Sequence, residues 1–400
     1  MSHSLREIAL QLSSPRMVKR IVAEKEKEIE ESRPVPKTQI IYAFNGTGKT
    51  RLSSIFKNLV APKSDATEDS PIKILYYNAF TEDLFYWDND LKGDRERKLI
   101  IRPNIYTHWA FVDQGIEGDA IAHFQRYTNS KITPRFNLEY TKEVDGKIEK
   151  IPAYSEVTFS FGRGNEQPTE YVKISKGEES NFIWSIFYAF IEEVIDVLNV
   201  AEPGDRPTHD FDRLEYIFID DPVSSLDENH LIQLAIDLSA LIKSSKSSDL
   251  KFIVTTHNPL FFNVLFNEIG NAQKYILSKS EDGTCALLDQ KGDSPFAYHL
   301  FLKSQLEQAA ESGEIHKYHF NFLRNILEKT STFVGHQQWG SLLPPNDGVQ
   351  ENPYARIINL NSHSKHSGEE VANVSEDHKR AFKFLVKKLS EMYQLKMLST

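Results

Sequence analysis

The chain has a single cysteine, Cys285, in 400 residues. A lone thiol excludes internal disulfides and any multi-cysteine metal site, so a bridge-stapled secreted scaffold is ruled out and a reducing cytoplasm is the expected compartment. Long apolar runs are missing too. None approaches about 18 residues, and the opening MSHSLREIALQLSS lacks the basic start and apolar core of a signal peptide. Neither export nor membrane insertion is expected. Positive charge is also scarce, with 47 Lys and Arg against 57 Asp and Glu, so overall composition alone points to no nucleic-acid partner.

What is present is an ordinary globular composition, 40% hydrophobic, 11% aromatic and 26% charged, which excludes collagen-like and fully disordered classes. At about 100 to 200 residues per domain, the length allows two or three domains. The acidity is uneven. Residues 291–400 hold 13 Lys and Arg against 12 Asp and Glu, with seven of the 13 histidines, so the negative excess lies in the first 290 residues.

Leu5 to Ser32 reads as a helix ending in the charge-dense AEKEKEIEES, with Glu24 and Glu28 at i,i+4 among lysines. Pro34 and Pro36 break it, and TQIIY (Thr38 to Tyr42) reads as a short buried strand before FNGTGKT and the helix RLSSIFKNLV. Between about Pro62 and Lys173, the segments ILYYNAF, RFNLEYTKEV, EVTFSFG and EYVKIS alternate, which predicts an antiparallel lobe with a hairpin turn at Asp145-Gly146. An apolar helix over Phe182 to Val200 follows, then strands at Glu215–Asp220 and Phe252–Thr255, a helix at Pro259–Asn271, and a hairpin of YILSK with CALLD. Strands alternating with helices predict a mainly parallel α/β sheet. From about Lys291 the pattern turns helical, with a loop over Thr330 to Pro353 and a final helix over Ser375 to Leu398. The expected domains are therefore 1–290 and 291–400.

Ala43-Phe44-Asn45-Gly46-Thr47-Gly48-Lys49-Thr50 has the spacing of a phosphate-binding loop, with Ala43 where the first Gly usually stands. Small residues let backbone N–H groups close around a phosphate. Lys49 can reach the β and γ oxygens, and the Thr50 hydroxyl can ligate Mg²⁺. Asp220-Asp221 closes an apolar strand, where Asp220 can hold the magnesium through water and Asp221 can polarise an attacking water. The loop Pro222 to Asp227 follows, and His257 ends another strand in position for a γ-phosphate. Upstream, Ser175-Lys176-Gly177-Glu178 opens the apolar helix and offers a second anion-binding N-terminus. Each piece alone has an ordinary reading: helix cap, core histidine, capping turn. Their order in the chain resembles that of ABC-type P-loop NTPases over about residues 30 to 290, with Walker A, signature, Walker B, D-loop and switch histidine in sequence. The resemblance implies a head-to-tail dimer at least, each signature closing over nucleotide held by another copy. Two departures stand out. Asp221 replaces the commoner Glu, which shortens the reach to water and suits a slow switch, and no Q-loop glutamine is evident; Asn78 lies in that region and reads as a buried structural residue.

In the tail, Arg324 and Glu328 stand i,i+4 on HFNFLRNILEK. Spacing alone reads as a surface ion pair worth about 0.3 to 0.5 kcal/mol. Some 35 residues later comes NLNSHSKH (Asn359 to His366), a polar loop with two imidazoles after the strand-like RIIN. With SKGEESNFIW, DDPVSSLD and KGDSPFAYH, this tail is similar to the PrrC-type bacterial anticodon nucleases over essentially the whole chain. That resemblance implies an α/β ABC-type head with an antiparallel lobe and a mainly helical ribonuclease domain. It implies Arg324, Glu328 and His363 as the ribonuclease site, His366 remaining a rival imidazole, and Asp293 as a contact to the anticodon. It further implies tRNA-Lys cut 5′ of the wobble base without a metal, ATP or GTP hydrolysis as the activating signal, and dTTP as a stabilising ligand. The implied setting is anti-phage defence: a toxin masked by a type I DNA restriction–modification complex and released by a phage-encoded restriction inhibitor. The residue types fit such chemistry, because 2′-OH attack needs a proton acceptor, a proton donor and a cation, and Glu328 and His363 can divide the first two roles. Two other readings share the head: a DNA-repair or chromosome-organising ATPase, which usually carries a long heptad arm not evident here, and a transporter ATPase subunit, which leaves the tail unexplained.

Overall fold

The computed structural model describes residues 3–22, 27–62, 71–78, 85–88, 96–102, 109–128, 130–144, 147–162, 169–222, 228–280, 283–290, 298–344, 352–362 and 374–392. The chain divides into two compact units, Met1–Pro295 and Phe296–Thr400.

The first unit begins with α1 (Leu5–Ser13), whose N-terminus is closed by a capping box between Ser4 and Glu7. The helix expected to run to Ser32 stops here. Pro15 cannot continue it and disfavours a helical residue before itself, and the β-branched Val18, Ile21 and Val22 lie just beyond. The chain instead forms an antiparallel hairpin, β1 (Arg16–Val22) with β2 (Lys27–Arg33), in which Lys19 is opposite Glu30. Strand β3 (Thr38–Ala43) is buried at every position and runs into the loop before α2 (Lys49–Val60).

Strands β4 (Ile74–Tyr77), β5 (Phe85–Asp88) and β6 (Lys98–Ile101) come next, then α3 (Glu117–Tyr127), a helix the alternating pattern concealed. Strands β7 (Ile132–Phe136), β8 (Tyr140–Val144), β9 (Lys147–Ile151) and β10 (Glu156–Phe161) follow. The expected antiparallel lobe is the sheet β5-β6-β10-β7, with β8-β9 as a separate hairpin whose end pair is Val144 with Lys147. Two expectations fail. ILYY is not in the lobe but pairs parallel with the Walker B strand, and EYVKIS is not a strand: only Thr169 bridges to Phe161 before the chain reaches the Ser175 cap.

The long helix α4 (Lys176–Asn199) carries Phe182 and Trp184, both fully buried. Phe182 packs among Phe124, Phe136 and Phe159, while Trp184 meets Tyr77 edge-on, so one helix ties the antiparallel lobe to the edge of the parallel sheet. Then come β11 (Tyr216–Asp220), α5 (Glu228–Ser244), β12 (Lys251–Thr256), α6 (Pro259–Glu268), β13 (Gln273–Lys279) and β14 (Cys285–Asp289). The main sheet has the order β14-β13-β3-β12-β11-β4 and is parallel except for the hairpin strand β14. Side chains alternate across it. Ile41 and Ala43 join Ile8, Leu12, Leu52 and Phe56 under α1 and α2, whereas Tyr42 meets Phe262 of α6 on the other face.

The second unit is helical: α7 (Tyr298–Ser312), α8 (Lys317–Phe333), a 3₁₀ turn at Trp339–Leu342, α9 (Pro353–Ser362) and α10 (Glu376–Met392). Phe320, Leu323 and Leu327 of α8 and Phe382, Leu385 and Leu389 of α10 recur at helical spacing and meet in one core with Leu306 and Ile358. The expected strand-like RIIN lies inside α9, because Ile358 and Tyr354 are four apart and their helical face packs on that core. Asn359 to Ser362 are likewise helical rather than loop.

Candidate functional site

Parallel strands β3, β11 and β12 lie side by side, so their C-terminal ends bring residues 43–50, Asp220-Asp221 and His257 to one edge of the sheet. The loop after β3 needs its glycines. Gly46 and Gly48 have φ of +83° and +104°, a region closed to most side chains, and a Cβ on Gly48 would stand 3.1 Å from Leu5 Cδ1 of α1. Asn45 and Gly46 are exposed; Thr47 turns inward, its N–H and hydroxyl both donating to Phe44 O. Lys49 folds back under the loop and donates to Ala43 O (3.1 Å), Phe44 O (3.4 Å) and Asn45 Oδ1 (3.2 Å). Its ammonium is 3.7 Å from Asp221 Oδ2. Burial pulls Lys49 below its ordinary pKa, against the opposing pull of Asp221 and Asp220.

Asp220 is 1% exposed, and burial pushes its carboxyl above the ordinary range, countered by hydroxyl bonds from Thr255 and Thr50. Ser53 also donates to Asp220 Oδ2 at 3.4 Å and shares a 2.7 Å bond with the Tyr76 hydroxyl, which accepts from Asn78 Nδ2 at 2.7 Å. Asn78 is thus buried in a structural network, as read from the sequence. Ser53, Tyr76 and Thr255 were not legible as site residues, since a serine or tyrosine on a strand or helix carries no motif. A buried carboxylate that burial disfavours, touching the hydroxyl at the start of the loop helix, is chemistry suited to a hard divalent cation. Thr50 and Asp220 are the residues that would hold Mg²⁺. No cluster of three or more His, Cys, Asp or Glu able to hold a metal occurs among the described residues.

Asp221 has φ 55°, a left-handed conformation costing a non-glycine residue on the order of 1 kcal/mol, and is held there by its N–H donating to Thr255 O at 2.9 Å. Its side chain accepts from Thr256 Oγ1 and the His257 N–H, both at 3.3 Å, and its Oδ2 lies 2.5 Å from His257 Nδ1. The structure therefore brings Lys49, Asp220, Asp221 and His257 together. The signature residues stand at the N-terminus of α4, where Ser175 and Glu178 form a reciprocal capping box (Ser175 N–H to Glu178 Oε2, 2.7 Å; Glu178 N–H to Ser175 Oγ, 3.3 Å) and Gly177 lies half-buried in the first turn. D-loop residues 223–227 lie outside the described residues.

In the second unit Arg324 Nε donates to Glu328 Oε1 at 2.7 Å, as i,i+4 spacing requires. The other branch was not expected. One guanidinium NH₂ group donates to Asn359 Oδ1 (3.3 Å) and Ser362 Oγ (3.4 Å) of α9, and Trp339 lies with its ring centroid 5.7 Å from the guanidinium carbon. This is more than a solvated pair: Arg324 is 24% exposed and gripped from three sides, while Glu328 is 46% exposed. Ser362 is the residue before His363. His363, His366 and Asp293 lie outside the described residues.

A parallel sheet with a glycine loop, an Asp-Asp pair whose first member is buried and a facing histidine defines a P-loop ATPase head, here in an α/β class with an antiparallel lobe and a helical second unit. A family profile described as an AAA domain matches residues 156–389. A curated relative described as an anticodon nuclease, from Escherichia coli, is 51% identical over 400 residues, covering 96% of each chain. The chain belongs to the anticodon nuclease family. Among solved structures, the SMC head domain from Thermotoga maritima covers 70% of this chain and 100% of its own at 12% identity and a TM-score of 0.30. An SMC head bound to the C-winged helix domain of ScpA covers 66% and 93% at 13% identity and a TM-score of 0.33. Among the described residues between α2 and α4 there are strands, a five-residue π-helical segment (Trp109–Asp113) and one 11-residue helix, not the long arm of a chromosome-organising ATPase. No helix among the described residues is long and apolar enough to cross a membrane.

Proposed function

We propose that the chain is a nucleotide-gated anticodon nuclease in which the first unit binds and hydrolyses ATP or GTP with Mg²⁺ and the second cuts tRNA-Lys 5′ of the wobble base. The observation that carries the reading is the grip on Arg324: a guanidinium fixed by Glu328, Asn359 and Ser362 is pre-oriented, as a phosphate-facing cation should be. The anticodon-nuclease relative supports the substrate class. In the cleavage step the 2′-oxygen attacks its own phosphorus while Glu328 takes the hydroxyl proton. The bond from phosphorus to the 5′-oxygen breaks, and that oxygen leaves with a proton from His363 or, as a rival, His366. Arg324 offsets the charge on the non-bridging oxygens, and the products are a 2′,3′-cyclic phosphate and a 5′-OH. Asp293 is assigned to the anticodon contact.

In the head, Asn45 to Thr50 hold the phosphates, Ser175, Gly177 and Glu178 close over nucleotide on another copy in a head-to-tail dimer, and Asp221 with His257 orients the attacking water. Mg²⁺ held by Thr50 and Asp220 would neutralise phosphate charge. A gated tRNA-cutting toxin suits an anti-phage role in the cytoplasm, masked by a type I DNA restriction–modification complex, released by a phage-encoded restriction inhibitor and stabilised by dTTP. The test is a tRNA-Lys transcript bearing a 2′-deoxy residue immediately 5′ of the cut. Cleavage should stop; unimpaired cutting would overturn the mechanism, and failure of the wild-type chain to cut any tRNA under any nucleotide condition would overturn the function.

A further inference from the structure

Helix α10 buries Phe382, Leu385, Val386 and Leu389 and turns Arg380, Lys383, Phe384 and Lys387 to solvent. That outer face is not built for stability. Lys379, Lys383 and Lys387 stand in an i,i+4 row, where like charges repel along a helix, and Phe384 keeps 44% of its surface exposed between them. Lys379, Arg380 and Lys388 have acidic partners on the same helix, Glu376, Asp377 and Glu391. Lys383 and Lys387 have no ion pair among the described residues; Lys383 reaches toward Gly313 at the end of α7. Phe384 stacks on Tyr354 of α9, with ring centroids 5.4 Å apart and planes at 21°. Tyr354 precedes Asn359 and Ser362, the two α9 residues that grip Arg324, by about 8 to 12 Å along the helix axis. A row of cations beside an exposed Phe384 ring, stacked on the half-buried Tyr354 of the same helix that carries Asn359 and Ser362, matches a single-stranded or looped RNA: phosphates to position and an unstacked base to lie on a ring.

We infer that the outer face of α10, from Arg380 through Lys383 and Phe384 to Lys387, with Tyr354 of α9, is the surface on which the RNA substrate docks. The inference rests on the nuclease reading of the second unit and adds to it where the RNA lies. The phosphates pair with the three cations, and a loop base stacks on Phe384.

The experiment uses the full chain and a fluorescein-labelled tRNA-Lys transcript. In a Glu328→Gln background, so that RNA is bound and not cut, the triple substitution Arg380→Gln, Lys383→Gln, Lys387→Gln should flatten the dependence of log affinity on log salt by about 2, at about 0.7 per lost contact. Phe384→Ala should weaken binding about fivefold or more with the salt slope kept. In the active background both variants should raise KM with kcat and nucleotide hydrolysis unchanged, and Arg380→Lys with Lys387→Arg should restore the slope. A wild-type chain that cuts tRNA while the triple variant keeps its KM and salt slope would overturn the docking surface and leave the nuclease reading standing, even if the variant had lost an acidic protein partner. A wild-type chain that cuts no tRNA would overturn both.

Discussion

Asp221 and His257 close the ends of two adjacent parallel strands with a contact of 2.5 Å, from Asp221 Oδ2 to His257 Nδ1. Through the same carboxylate, Asp221 also faces Lys49 at 3.7 Å. An aspartate tethered by a histidine ring, a threonine hydroxyl and a backbone N–H has little freedom to advance on a water. Asn tolerates the left-handed backbone at this position, so Asp221→Asn removes the charge without collapsing the turn. Nucleotide hydrolysis should fall by about 100-fold or more while nucleotide affinity holds, measured by phosphate release against equilibrium binding.

Lys49 is poised between two sets of partners. It is bonded to the carbonyls of its own loop, and burial makes it easier to deprotonate than an ordinary lysine. Phosphate oxygens offer it charged acceptors in place of neutral ones. Lys49→Ala should therefore weaken binding of a fluorescent ATP analogue at least about tenfold, the equivalent of one charge-assisted hydrogen bond. Cleavage of tRNA in the same variant should lose its response to nucleotide, and a preserved response would contradict gating by this site.

The head was legible because its chemistry is local. A buried strand, a loop with two glycines and a helix follow one another within Thr38–Val60, and Asp220-Asp221 and His257 end strands that read as apolar runs. Parallel pairing alone then brings them together. What was not legible depended on partners distant in sequence. Arg16–Arg33 has helical charge spacing, yet its fate is set by Pro15 and by strand pairing. ILYY has the alternation of a lobe strand, yet Tyr77 packs on Trp184 over a hundred residues later and draws the segment to the edge of the parallel sheet.

The second unit shows the same division. Arg324 and Glu328 could be placed on one helical face from spacing, but not distinguished from a surface ion pair. Asn359, Ser362 and Trp339 make the difference, and they reach Arg324 only because α9 crosses α8 in the folded unit. RIIN looked extended because two adjacent isoleucines favour strands, and the helical face that overrules this preference exists only against the core of α8 and α10.

Arg324→Lys tests whether the fork matters or only the charge. Lysine keeps the cation and cannot bond Glu328 through one edge and Asn359 with Ser362 through another. Cleavage of tRNA should drop by about 100-fold or more, with nucleotide hydrolysis unchanged. Asn359→Ala should produce a smaller loss, about tenfold, since it removes one uncharged acceptor of a charged donor. Wild-type cleavage by Arg324→Lys would mean that the guanidinium acts only as a distant charge.

His319 ties the second unit to pH. Its ring is buried beside Tyr318 and Phe382, and its Nδ1 accepts the His316 N–H at 3.0 Å, which places the ring proton on Nε2. Burial first, then the neighbouring His316, pushes its pKa down to about 4. Protonation of Nδ1 would abolish that acceptor in the folded chain, whereas the unfolded chain takes up the proton at an ordinary histidine pKa of about 6.5. Between these values the unfolded state holds more protons, so stability is fully present above about pH 6.5 and falls as the pH drops toward 4, by on the order of 2 kcal/mol. His319→Asn offers an amide oxygen as acceptor and has no group to titrate. Urea midpoints of the full chain should therefore fall more steeply between pH 7 and pH 4.5 for the wild type than for the variant. Parallel curves would show that His319 is not what makes the unit acid-sensitive.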